Sequence, residues 1–313
     1  MQKNIQSSPL VGIVVLHWNN FEDTKVCLDS VRKLSYQRKN IYIVDNHSSN
    51  DSLSKLISLF KEFNFVALNS NLGFAGGMNA GIKRALKDKV DAVMILNNDT
   101  CLEKKSLGYL VEKLFQNKKT GVVVPMVYLG LSGKTVGSIG GEIIWSLGEA
   151  RQIGNLEKDK GQFKSKKVKM APGSALIVKT KLINKVGLIP EDYFMYNEDV
   201  DWSVKFINTG YDIITVPKAH IWHNESAAAG PQSPMKAYYY TRNNLIFMSK
   251  YVQGGRWFSF LFNFYWKMTK QAVKFLIKGK GRNVMAIFKG SASFWRGERG
   301  FSQNYIPKAR EQK

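Results

Sequence analysis

The sequence predicts an α/β protein built on a mostly parallel central sheet flanked by helices, with a helical C-terminal extension that is basic and aromatic. Three observations carry this. Continuously apolar runs recur at Leu10 to Leu16, Ile41 to Val44 and Ala92 to Leu96, without the polar alternation of a sheet that faces water. Helical patterns and turn residues separate the runs. The runs end in polar residues, Asp45 and Asn97-Asn98-Asp99, where a parallel sheet opens into its ligand crevice.

The elements follow in order. Leu10–Leu16 is the first strand, and Phe21–Leu34 the first helix, with Val26, Leu28, Val31 and Leu34 as its apolar points. Ile41–Val44 is the second strand, ending at Asp45. The polar run Asn46 to Ser52 turns the chain and offers Ser49, Asn50 or Asp51 as a helix cap. Phe65–Leu68 is the third strand, leading into a helix over Asn71–Leu86, and the fourth strand ends at Asp99. After Gly121 come a strand at Val122-Val123-Val124 and glycine turns at Gly130, Gly133, Gly137, Gly140 and Gly141. The lysine-rich stretch Lys158–Lys169 is expected to be a mobile loop. A helix opens near Glu198, capped by Asn197, and stops at Gly210.

The last helix is read by angle. At about 100° per residue, Arg256, Lys267, Lys270, Lys274 and Lys278 fall within an arc of roughly 80°. Apolar residues from Trp257 to Leu276 fill the opposite half, with Phe260 as an exception on the polar side. Such a helix either covers an apolar wall of the domain or lies on anionic lipid, and the two are compatible.

Composition narrows the partners. The chain of 313 residues carries a net charge of +22, which implies an anionic partner. Residues 251–313 hold 13 Lys and Arg against Glu298 and Glu311, so the excess is concentrated on one local surface. Cys27 and Cys101 fit no metal or redox spacing and are expected to be reduced thiols. Met1 to Ser8 is polar, without a signal-peptide core, and no segment approaches the ~20 apolar residues of a spanning helix. The expectation is a cytoplasmic protein, dissolved or peripheral on the inner face of the cell membrane.

Several clusters carry chemistry. Asp99 at a strand end, the cluster Glu198-Asp199-Val200-Asp201 and His223 are the residue types that a divalent cation and a general base need. Acids in a first helical turn also complement the helix dipole, and a lone histidine is commonly structural. Asp45 can cap a turn or accept a hydrogen bond from a nucleotide base. The stretch Asn71 to Gly81 brings Gly73, Gly76 and Gly77 to a helix start. There they serve either a close approach to an anion or tight packing on the sheet. It is neither a Walker loop nor a G-x-G-x-x-G turn. Arg242, in Tyr238 to Asn244, can pair with a diphosphate or sit in an ordinary aromatic helix.

Taken in order, these pieces resemble the family 2 glycosyltransferases of the GT-A fold, and among them the rhamnosyltransferase-type enzymes of bacterial surface polysaccharides. The matching residues are Val14 to Asn19, Ile43 to Asn46, Asn71 to Gly81, Leu96 to Asp99, Asn197 to Trp202, Trp222-His223 through Ser226, and Tyr240 to Asn243. The resemblance covers roughly residues 10–250. It implies a catalytic domain over 1–250, a C-terminal amphipathic region over 251–313, and inverting transfer from a nucleotide diphosphate sugar to an acceptor hydroxyl. The implied nucleotide-binding residues are His17, Asn19, Asp45, Asn71, Gly73, Phe74, Gly77, Asn79, Asn97, Asn98 and Arg242, with Asp45 on the base. Asp99 and His223 would hold Mg²⁺ or Mn²⁺, and Asp199, then Glu198, would be the catalytic base. Asn97 replaces the first Asp of the family's D-x-D pattern, and a neutral amide is the weaker ligand for a hard cation. The implied donor is dTDP-rhamnose, then a UDP-sugar. The acceptor would be a glycan or a polyprenyl-diphosphate-linked glycan.

Two rivals fall away. Sugar nucleotidyltransferases place a glycine-rich basic turn after the first strand, where this chain has His17-Trp18-Asn19-Asn20. A nucleic-acid-binding protein would interleave its aromatic and basic residues, whereas the last helix segregates them, so no nucleic acid is expected.

Overall fold

A computed structural model describes residues 8–224 and 233–305. Ser226 and the termini, including Met1 to Ser7 and the last charged residues of the tail, lie outside the described residues. The first half alternates as expected: β1 (Val11–His17), α1 (Phe21–Arg32), β2 (Lys39–Asp45), α2 (Ser52–Leu59), β3 (Asn64–Ala67), α3 (Gly73–Lys87) and β4 (Ala92–Asn97). Then follow β5 (Thr100–Leu102), α4 (Ser106–Gln116), β6 (Thr120–Leu129) and β7 (Val136–Ser138). A hairpin of β8 (Gly141–Ile144) and β9 (Glu149–Gln152) precedes β10 (Lys167–Val168), β11 (Ala175–Lys179), α5 (Thr180–Val186), α6 (Glu198–Asn208) and β12 (Asp212–His223). Three helices close the described chain: α7 (Pro234–Tyr251), α8 (Gly255–Ile277) and α9 (Gly281–Trp295).

The main sheet runs β10-β12-β6-β11-β4-β1-β2-β3, with β5 added on β12 and β7 on β6. β1, β2, β3 and β4 pair in parallel, as do β6 and β12, while β11 runs antiparallel between β4 and β6. The strands are apolar throughout because both faces are covered. Val11, Ile13 and Val15 meet α1, α2 and α4 on one side, and Val14, Val93 and Ile95 meet α3, α5 and α6 on the other.

Glycines set the depth of α3. A Cβ on Gly77 would come 2.4 Å from the Leu16 side chain, and one on Gly81 would come 2.3 Å from Val14. Helix and sheet are therefore pressed together at these positions, and Gly77 packs against β1.

Lys158–Lys169 differs from the expected mobile loop. Tyr128 donates to Asp159 (2.6 Å), Ser165 donates to the Thr215 carbonyl (2.7 Å), and Lys167-Val168 pairs with Ile213-Ile214 at the end of β12 away from His223. The stretch is stitched along the sheet edge because its backbone groups find partners there.

The C-terminal helices are fused to the domain. Phe260, Phe264, Met268 and Phe275 of α8 and Ile287 and Phe294 of α9 share one buried cluster with Val200 and Val204 of α6 and Leu245 to Met248 of α7. Phe260, expected on the polar side, is 1% exposed and is a core residue. The core face of α8 thus lies nearer its lysines than the angular reading placed it. Lys267 is drawn inward to Glu149 of the β8–β9 hairpin at 2.6 Å. Among the described residues no helix is long and apolar enough to cross a membrane. Both cysteines are free thiols.

Candidate active site

A cleft of about 510 Å³ opens where β1 and β4 end, walled by Asn71, Gly73 and Phe74 on one side and by Tyr196, Glu198 and Asp199 on the other. Asn97, Asn98, Asp99 and His223 line it as well. β4 stops at Asn97, so Asn98-Asp99 forms the turn into β5. β5 pairs antiparallel with the end of β12 and lays Thr100 against His223. That register sets Asp99 Oδ1 3.0 Å from His223 Nε2.

The pair fits a divalent cation. Two ligands at about 2.1 Å on adjacent corners of an octahedron stand about 3.0 Å apart. Among the described residues no third His, Cys, Asp or Glu completes a metal cluster. A bound ion would therefore draw its other ligands from water and substrate phosphate, as Mg²⁺ commonly does.

Glu198 and Asp199 open α6 at the cleft wall, and their environments differ. Asp199 accepts the Gly173 amide at Oδ2 and the Val200 amide at Oδ1, both at 2.8 Å. Glu198 is 6% exposed, and its Oε2 is buried with no hydrogen-bond partner among the described residues. Burial, and then the Asp199 charge, push the Glu198 carboxyl well above the usual range. Burial also raises Asp199, against the pull of its amide donors. The two carboxyls titrate as a pair, and the amide donors on Asp199 favour its charged form over that of Glu198. The third acid, Asp201, is fully buried and structural: it accepts from Tyr193 (2.6 Å), Tyr251 (2.5 Å) and Lys250 (2.8 Å), tying α6 to α7.

The turn entering α6 is strained. Phe194, Tyr196 and Asn197 have φ of 66°, 67° and 77°, a region that costs a side-chain-bearing residue about 1–3 kcal/mol. Asn197 occupies the cap position without making the expected side-chain cap bond, because its backbone is left-handed. The amide of Asn243 on α7 holds the turn instead, donating to the carbonyls of Tyr193 (2.9 Å), Met195 (2.6 Å) and Tyr196 (3.0 Å).

Several expected nucleotide contacts lie elsewhere. Arg242 is fully buried and donates to Asn243 Oδ1 and to the carbonyls of Tyr193 and Gly300, so it braces the same turn and does not reach the cleft. The lysine that does line the cleft is Lys236, at the start of α7 beside Tyr196. His17 is fully buried between Thr24 and Ser52, each 2.8 Å from a ring nitrogen, and burial lowers its pKa to about 4. Asn19 accepts the Ser49 amide at 2.7 Å and holds the turn after β2. Asp45 accepts the Ser48 amide (3.1 Å) and hydroxyl and stands behind the cleft wall, where Asn46 takes the lining position. Asn79 is consumed by Ile189 and Glu191. At the start of α3 the amides of Leu72, Gly73 and Phe74 donate to Asn46, Asn71 and the Phe194 carbonyl, so these three are not offered to an anion. A Cβ on Gly73 would come 2.3 Å from that carbonyl, and its φ is +71°, so glycine here joins α3 to the α6 turn. Trp18, Asn46, Gly173, Tyr196 and Lys236 are cleft residues that sequence reasoning passed over. The placement of Trp18 and Asn46 beside strand ends was the available signal.

The protein-family model described as Glycosyl transferase family 2 matches residues 12–186. The poly-beta-1,6-N-acetyl-D-glucosamine synthase of Staphylococcus aureus (strain COL) is 30% identical over 224 residues, 70% of this chain and 51% of its own. The Staphylococcus epidermidis protein of that name is 28% identical over 215 residues, 68% of this chain and 49% of its own. The chain thus spans about half the length of these curated relatives. Among solved structures, the mannosyltransferase PcManGT from Pyrobaculum calidifontis in complex with GDP-Man and Mn²⁺ is 12% identical. It has a TM-score of 0.57, over 95% of this chain and 90% of that one. GalNAc-T7 with UDP, GalNAc and Mn²⁺ is 16% identical with a TM-score of 0.58, over 70% of this chain and 44% of that one. At these identities the structural likeness gives the fold, which is GT-A.

Proposed function

The chain belongs to glycosyl transferase family 2, and we propose that it transfers a sugar from a nucleotide diphosphate donor to a hydroxyl of a glycan in cell-surface polysaccharide synthesis, with inversion at the anomeric carbon. One observation carries the reading: the Glu198–Asp199 pair and the Asp99–His223 pair line the same cleft at the end of the parallel strands. Rhamnose from dTDP-rhamnose is the first candidate donor, on the resemblance of the ordered motifs, and a UDP-sugar the second. The acceptor is a free glycan or one carried on a polyprenyl diphosphate.

In this mechanism the acceptor oxygen attacks the anomeric carbon while Asp199 takes its proton. The bond from that carbon to the diphosphate oxygen breaks, and the electron pair leaves with the diphosphate. Asp99 and His223 would hold a divalent cation, Mg²⁺ or Mn²⁺, which when bound would supply charge neutralisation to the diphosphate. Lys236 adds a cation at the same wall, in the role the resemblance implied for Arg242. Burial of Glu198, whose Oε2 has no hydrogen-bond partner among the described residues, disfavours a second negative charge beside Asp199.

Calorimetric titration of dTDP, UDP and GDP, with and without Mn²⁺, into the native protein and Asp99→Ala tests this. Metal-enhanced binding of one nucleotide, lost in the variant, supports the site and names the donor class. No binding of any nucleotide by folded protein overturns the transferase reading.

A further inference from the structure

We infer that the seam between α8 and α9 is a docking surface for an anionic lipid bilayer. Phe258, Phe262, Trp266 and Ile277 of α8 are 69%, 73%, 58% and 81% exposed, and Val273 and Leu276 are also exposed. At about 100° per residue these six fall within an arc of about 100°, separate from the core face at Phe260, Phe264, Met268 and Phe275. The core is already satisfied by that other face, so the exposed stripe has no partner among the described residues.

The neighbouring helix continues the stripe. Met285, Phe288 and Trp295 of α9 are 55%, 64% and 58% exposed and share an arc of about 80°. The two stripes meet where Trp295 Nε1 donates to the Tyr265 hydroxyl at 2.8 Å. Cations border the joined surface on its outer edges. By the same angular measure Lys270 and Lys274 lie on the side of the α8 stripe away from Tyr265, and Arg282, Lys289 and Arg296, the last paired with Glu298 at 2.7 Å, on the side of the α9 stripe away from Trp295. The Lys270 ammonium lies over the Trp266 ring, 4.8 Å from its centre, so the cationic border directly adjoins the aromatic stripe.

Aromatic residues in a central band with lysines and arginines at the margins match an anionic bilayer in layers: rings at the headgroup–acyl boundary, cationic groups at the phosphates. A nucleic acid would instead call for cations interleaved with the rings. A second copy of this chain would bring two strongly basic borders together. With no spanning helix among the described residues, the helices lie on the surface.

The surface is linked to the cleft. The β8–β9 hairpin touches α8 through Glu149–Lys267 (2.6 Å) and through Asn263 and the Ser146 carbonyl (3.4 Å), and Gln152 at its end lines the cleft. If the transferase reading holds, a lipid-borne acceptor would approach along this hairpin. The bilayer contact itself does not rest on that reading.

The test is co-sedimentation of the full chain with phosphatidylglycerol/phosphatidylcholine vesicles and with phosphatidylcholine alone, without nucleotide, so that its outcome is separate from that of the donor titration. Expected is binding to the anionic vesicles, falling at least about tenfold in both the Phe262→Ser/Trp266→Ser and the Lys270→Glu/Lys274→Glu variants. All four positions are surface positions, and circular dichroism verifies their folding. Failure of the native protein to bind anionic vesicles, or unchanged binding by both variants, overturns the inference. A native dimer in sedimentation velocity that becomes monomeric in Phe262→Ser/Trp266→Ser, with no vesicle binding, assigns the face to a second copy and also overturns it.

Discussion

Asp99 Oδ1 and His223 Nε2 meet at 3.0 Å although 124 positions separate them, because the three-residue strand β5 pairs Thr100 with His223. The carboxylate and the imidazole are thereby set side by side by the register of β5 and β12. His223→Ala is expected to abolish most of the metal enhancement of nucleotide binding, by at least about tenfold, and to leave metal-free binding unchanged. Calorimetry with and without Mn²⁺ measures this. Equal enhancement in the variant would show that His223 holds no metal.

Asp199 and Glu198 are expected to separate on substitution. Asp199→Asn removes the base and should lower kcat by about 10²–10⁴-fold with the fold intact. Glu198→Gln replaces a buried carboxyl whose charged form burial disfavours, and should keep kcat within about tenfold. Its stability signature is the sharper readout. The folded Glu198 has its pKa raised to about 8, so the folded state holds a proton that the unfolded chain releases near pH 4.5. Stability from this group is full below pH 4.5 and is lost as pH rises through about 8. Glu198→Gln should therefore gain in melting temperature relative to the native protein as pH increases from 5 to 8, and parallel curves would refute the assignment.

The chain's architecture was legible where chemistry is local. Continuous apolar runs located β1, β2 and β4 to within a residue or two, and the acids of Glu198 to Asp201 with Gly210 bracketed α6. What escaped depends on contacts distant in sequence. β5 has too few residues for any periodicity, so nothing local announced the partner that brings His223 to Asp99. His17, Asn79 and Arg242 are polar residues of the kind that bind nucleotides, but each is spent on a backbone or side-chain partner that only the folded chain supplies. Phe260 was misplaced because the core face of α8 is chosen by Met248, Phe264 and Gly148 around it, not by the mean of its own hydropathy.

His17 should make the protein acid-sensitive. Its folded pKa is lowered from 6.5 to about 4 by burial, so below pH 6.5 the unfolded chain takes up a proton that the folded chain refuses. Stability from this source is full above pH 6.5 and falls by about 3 kcal/mol as pH drops toward 4. His17→Gln keeps polar contacts without the titration and should flatten the dependence of melting temperature on pH between 6.5 and 4.5. Unchanged slopes would place the acid sensitivity elsewhere.

Lys236 should carry the contact to the diphosphate that the resemblance implied for Arg242. Lys236→Ala removes a cleft cation and should weaken nucleotide diphosphate binding about 5–50-fold with little change in melting temperature. Arg242→Ala unseats a fully buried guanidinium that braces the Tyr193 and Gly300 carbonyls, and should destabilise by about 3 kcal/mol. Thermal melts paired with calorimetry distinguish the two, and a binding defect without destabilisation in Arg242→Ala would return the diphosphate to that residue.

Asn243 is a positioning residue whose loss should be read in kcat. Its single amide nitrogen donates to three carbonyls of a turn that carries three left-handed residues and ends at Glu198 and Asp199. The strain of those residues, about 1–3 kcal/mol each, persists only while the surroundings overdetermine the turn. Asn243→Ala removes the donor, leaves buried carbonyls unsatisfied and should destabilise by about 3 kcal/mol. The turn can then relax, and Asp199 loses its alignment on the acceptor oxygen. Displacement by about 1 Å is enough to cost about a hundredfold in rate. Nucleotide affinity, which depends on Asp99, His223 and Lys236 at the other elements of the cleft, should change by less than about threefold. A purely structural role would lower the melting temperature and leave kcat per folded molecule unaltered. Measured below the transition of the variant, a fall in kcat with steady donor affinity therefore separates positioning from simple loss of stability.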